Sequence, residues 1–85
     1  MNLTLDHLLP EHSASITAVR ATGMAGERMA ALGLTVGRRV AVLRRAPFGG
    51  PLHLRIGPNE LMIRRADARA IILDHVHRWK PNRWF

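Results

Sequence analysis

Among the side chains able to do chemistry, the histidines are the plausible transition-metal ligands: His7, His12, His53, His75 and His77, in a chain without cysteine. His75-Val76-His77 is an i, i+2 pair. On a regular strand both rings would leave one face, close enough to share a transition metal such as ferrous iron or zinc. A protein metal site takes three or four ligands, and two imidazoles alone more often bind nothing, or bind metal where two molecules meet. His7 and Glu11 stand four apart, but Pro10 between them interrupts the helix that would align them.

The second chemical resource is arginine. Thirteen Lys and Arg against six Asp and Glu leave a net charge of +7, and Lys80 is the only lysine. Arg38-Arg39, Arg44-Arg45 and Arg64-Arg65 form doublets, with Arg55 and Arg69 besides. In an antiparallel sheet, alternate members of neighbouring strands stack on one outer face. Such a face attracts phosphate, acidic lipid headgroups or an acidic protein surface; it also serves simply to keep a small domain solvated. Next to the second doublet lies Ala46-Pro47-Phe48-Gly49-Gly50-Pro51, a loop by every turn rule. Two readings of it stand open: an exposed Phe48 anchoring a partner on a proline-stiffened loop, or a Phe48 folded back over one end of the domain. Arg44, Arg45, Pro47, Phe48 and Arg65 are the candidate partner-binding residues.

Other chemistry is scarce. Ser13 and Ser15 are the only serines, and no Walker loop, nucleophile elbow or HExxH is present, so a stand-alone enzyme is not expected. The N-terminus lacks a signal-peptide pattern. The longest apolar run, Met29 to Leu34, is far short of the about 20 residues of a membrane span. A cytoplasmic protein, able to sit peripherally at the inner face of a membrane, is the expectation.

These groups have to be positioned by a small, aliphatic framework. Leu3, Leu5, Leu8 and Leu9 suggest a helical turn stopped at Pro10. Ala14 to Arg20 reads as a strand in which a bulge would bring Ile16 and Val19 to one face. Ala25, Met29 and Leu32 mark one face of a two-turn helix, with Gly33 placed to end it. Arg38 to Ala46 is a strand with Val40 and Val42 on one side and Arg39, Ala41 and Arg45 on the other. Leu52, Leu54 and Ile56 alternate with His53 and Arg55, and Gly57 to Glu60 turns into a strand through Leu61 and Ile63. A helical turn over Ala66 to Ala70 precedes a last strand, Ile71 to Val76. About five short strands with short connecting helices make a mainly β fold, a small and partly open barrel. Residues 1–76 form the domain. Residues 77–85 form a basic and aromatic tail in which Trp79, Trp84 and Phe85, among Arg78, Lys80 and Arg83, suit a membrane interface, a partner groove or the domain's own end. A histidine-based transition-metal-binding protein is one alternative, and a nucleic-acid-binding barrel is the alternative that the charge suggests. The latter is disfavoured because the expected strands carry no aromatic residue on which bases stack.

Three ordered segments carry a resemblance. Arg28-Met-Ala-Ala-Leu-Gly-Leu-Thr-Val-Gly37, Arg44-Arg-Ala-Pro-Phe-Gly-Gly-Pro-Leu52 and Leu61-Met-Ile-Arg-Arg-Ala-Asp-Ala68 followed by Ile71 are similar to the FeoA family, small accessory proteins of bacterial ferrous iron transport. Pro10-Glu11 stands where that family often has Pro-Gly, and Val36 where it often has Pro. The resemblance implies an SH3-like barrel in the cytosol that regulates ferrous iron uptake by protein–protein contact with the membrane transporter FeoB.

Overall fold

The computed structural model describes residues 3–78. Where aliphatic and polar residues alternate, strands form: β1 (Leu3–Thr4), β2 (His12–Val19), β3 (Arg39–Arg45), β4 (Leu52–Ile56), β5 (Asn59–Ile63) and β6 (Ile71–Arg78). They make one antiparallel sheet in the order β1-β6-β2-β3-β4-β5. Two short helices, α1 (Gly23–Ala31) and α2 (Arg65–Ala68), lie in the connections. The five expected strands are present. The sixth, β1, falls where a helical turn was expected: Leu3 and Thr4 pair with Leu73 and Ile72, and only Leu5–His7 coils, as a single 3-10 turn.

The core is aliphatic. Leu5, Ile16, Met29, Leu34, Leu52, Leu54, Ile56 and Ile71 are its large, fully buried side chains, and among the described residues no polar or charged residue is buried with them. Strand β4 shows why: Leu52, Leu54 and Ile56 are buried while His53 and Arg55 are only partly so. The turn into β5 is a two-residue hairpin loop, and Gly57 (φ 57°) supplies its positive dihedral.

Bulges adjust what alternation alone would misplace. Ile16 pairs with Leu73 and Ala18 with Ile72, so β2 holds one extra residue there. Ile16 and Val19 thereby both reach the core side, as their spacing predicts. On β3, Val42 pairs with Leu54 but Arg44 with His53, a second bulge. This one corrects the expected facing: Arg45 now pairs with the core residue Leu52 rather than sharing the outer face of Arg39 and Ala41. Helix α1 ends as expected at Gly33 (φ 90°), with Leu34 N donating to Met29 O and Gly33 N to Ala30 O, both at 3.0 Å. That is a Schellman cap, and its apolar pair is Met29 with Leu34. Leu32, expected on the buried face, is therefore left exposed while Leu34 takes the core position.

Candidate partner-docking site

The loop between β3 and β4 is built like a mount. Ala46 N donates to Pro51 O at 3.0 Å and closes its base. Gly50 N donates to Pro47 O at 3.1 Å, with φ 59° at Phe48 and 73° at Gly49 between them. Two positive dihedrals inside an i to i+3 bond describe a type I′ turn, whose first central position favours Asn, Asp or Gly. Here that position is Phe48, and its side chain is wholly exposed, at 103% of the reference area. The reading in which Phe48 folds back over the domain is thus corrected. Left-handed backbone costs a residue with a β-carbon roughly 1–2 kcal/mol, and Phe48 recovers none of it by packing among the described residues.

One of the predicted arginines, Arg65, holds this mount, and a second, Arg45, fastens the N-terminal turn instead. Arg65, at the start of α2, donates from Nε to Gly50 O and from Nη2 to Ala46 O, both at 2.8 Å. Arg45 donates from Nη1 to Asp6 O at 2.8 Å and to Leu8 O at 3.0 Å, tying the N-terminal turn to the end of β3. Both are partly buried fastenings for backbone carbonyls. Arg44 and Pro47, by contrast, are exposed beside Phe48 in the chain. Gly50 is required by space as well: a β-carbon there would sit 2.8 Å from Ala46 Cβ. The predicted set therefore divides into an exposed group (Arg44, Pro47, Phe48), one fastening of the loop (Arg65) and one of the N-terminal turn (Arg45).

The histidine pair meets a different geometry. Ser13 pairs with His77 and Ser15 with Asp74, so β6 carries an extra residue at His75–Val76, and His75 has φ 56°. The i, i+2 rule does not run across such a bulge. Arg39 fastens it, donating to His75 O at 3.0 Å and to Ser13 Oγ and Ser15 Oγ at 3.0 and 2.9 Å. Among the described residues no three His, Cys, Asp or Glu side chains come together as a metal-binding group. The aromatic tail, Trp79 to Phe85, lies outside the described residues; of the predicted basic tail only His77 and Arg78 are seen, as the end of β6.

Sequence reasoning missed a concave surface elsewhere in the fold. Val19, Ala21, Gly26, Ala30, Leu34 and Val36 line an open groove of about 500 Å³ beside α1. Its walls come from one stretch of chain, residues 19–36, running from the end of β2 through α1 into the turn that follows. No helix among the described residues is long and apolar enough to cross a membrane.

Residues 3–75 match the family model described as the FeoA domain. Among solved structures, FeoA from Chlorobium tepidum is 30% identical with a TM-score of 0.75, covering 96% of this chain and 75% of that one. FeoA from Stenotrophomonas maltophilia is described as complexed with zinc, as an SH3 domain protein and as a candidate activating factor of bacterial ferrous iron transport. It is 26% identical with a TM-score of 0.79, covering 89% of this chain and 96% of its own. A manganese-dependent transcriptional repressor superposes with a TM-score of 0.79 over 86% of this chain and 40% of its own; at 19% identity that likeness is one of fold alone. No curated protein matches the chain.

Proposed function

The chain belongs to the FeoA family, and with it to the proteins of ferrous iron transport; from this premise we propose that it is a non-enzymatic, cytoplasmic accessory protein that regulates uptake by docking onto the FeoB transporter through the Phe48 loop. The observation that carries the reading is Phe48 itself: wholly exposed, in a left-handed conformation, on a loop fastened by Arg65. An aromatic held out at a conformational cost, with its loop already ordered, loses little further entropy on binding and serves as an anchor. Pro47 stiffens the approach, and Arg44 adds positive charge that steers an acidic surface towards it.

The test is direct. Phe48→Ala removes the anchor while leaving the fold intact, because the ring packs on nothing among the described residues. Its affinity for the isolated cytosolic part of the transporter should fall about 30-fold or more, as for a central aromatic contact. In cells, the Phe48→Ala protein should restore ferrous iron uptake to a deletion strain less well than wild type does. Normal uptake in the deletion strain itself removes the proposal.

A further inference from the structure

We propose that β5 is a self-association edge, through which two copies of this chain join their sheets about a two-fold axis at Met62. Strand β5 ends the sheet, so among the described residues its outer side has no strand partner. Ile56 and Asn59 close the two-residue hairpin as its hydrogen-bonded pair, which makes Leu54–Leu61 and Leu52–Ile63 hydrogen-bonded pairs as well. The amide and carbonyl groups of Glu60 and Met62 then point away from β4 towards the open edge. Arg64 continues the strand with extended backbone (φ −70°, ψ 147°), its carbonyl already taken by the amides of Asp67 and Ala68.

The side chains along this edge are complementary to themselves. Antiparallel pairing with Met62 opposite Met62 sets Glu60 of each copy opposite Arg64 of the other. All of these lie on the outer face, where Glu60, Met62 and Arg64 are exposed. On the inner face the same register sets half-buried Leu61 opposite the core residue Ile63, apolar against apolar. The Met62 pair exchanges both backbone bonds, and each Arg64 amide donates to the opposite Glu60 carbonyl. Sliding the copies so that Glu60 faces Glu60 sets like charges in contact, so charge selects the register. A five-residue strand buries less than a standard interface, which makes the dimer weak and concentration-dependent.

The experiment uses the full chain in sedimentation equilibrium at low ionic strength, up to about 1 mM, the weak end of specific association. Wild type should pass from the monomer mass of 9.5 kDa towards twice that value. Glu60→Arg and Arg64→Glu each place like charges across the axis and should weaken association about ten-fold or more. Mixed together, the two single variants restore both opposite-charge contacts and should associate again; this also shows that each is folded. The double variant Glu60→Arg with Arg64→Glu should recover self-association. A wild type that stays monomeric throughout overturns the proposal, as does a dimer indifferent to these reversals. Neither outcome bears on the Phe48 loop, which belongs to a different segment.

Discussion

Replacing Arg65 with alanine separates the support of the proposed docking loop from Phe48 itself. The side chain is partly buried and makes two bonds of 2.8 Å, to Gly50 O and Ala46 O. Charge-assisted bonds contribute roughly 1.5–3 kcal/mol each, so two at the low end sum to about 3 kcal/mol. Water reaching the freed carbonyls returns part of this and leaves a net loss of about 2 kcal/mol. For a domain of this size each kcal/mol shifts Tm by about 4–8 °C, which gives a fall of roughly 8–16 °C. Urea titration should show a lower midpoint at unchanged slope. Hydrogen exchange should quicken at the Ala46 and Gly50 amides, whose bonds to Pro51 O and Pro47 O close the loop. Arg65→Lys, with a point charge in place of the planar fork, should fall between the two. Arg65→Ala with stability within about 0.5 kcal/mol of wild type, the range of an ordinary surface change, refutes the assignment of Arg65 as a fastening.

Glu11 has φ 63°, so Glu11→Gly should raise stability by about 1 kcal/mol in urea titration, its contact with Arg78 at 3.9 Å being exposed and weak. Gly50→Ala drives a β-carbon to 2.8 Å from Ala46 Cβ and should cost about 1–3 kcal/mol, read as a lower Tm. Gly33→Ala places a β-carbon at φ 90° in the helix cap; a loss of about 1–2 kcal/mol should appear in the same assay. Met29→Ala empties a fully buried core position and should cost about 2–5 kcal/mol, seen in thermal unfolding.

What could be read in advance follows from which forces are local. The alternation through Leu52, Leu54 and Ile56 is a pure burial signal, and β4 obeys it. The odd spacing of Ile16 and Val19 betrayed the bulge in β2 because two aliphatic residues had to share the core. The bulge in β6 left no such trace: Asp74 to Arg78 are all exposed, so no burial pattern marks where the strand gains a residue. Strand β1 spans two residues, too few for any period to show. Glu11 in a left-handed turn was visible only as the residue standing at a position that often holds glycine in the FeoA family. The candidate site was legible as a loop with a lone aromatic. The division of its arginines was not, because Arg45 and Arg65 are defined by distant backbone carbonyls, which no local pattern reveals. Phe48 in a turn position suited to Asn or Gly gives no propensity signal of its own.

The extra residues in β2 and β6 sit on opposite strands of one ladder, and their offsets cancel: His12 faces Arg78 and Val19 faces Ile71, equal lengths of chain on either side. Between the two bulges the pairing runs one step out of phase, and beyond them it returns to phase. Removing one residue at Thr17 alone would leave the partner strand a residue too long and turn one flank inside out. Removing one there together with one at His75 or Val76 would keep both flanks matched and leave a flatter sheet. Length changes in this half of the molecule are therefore tolerable in matched pairs, a constraint that couples two stretches of chain more than fifty residues apart.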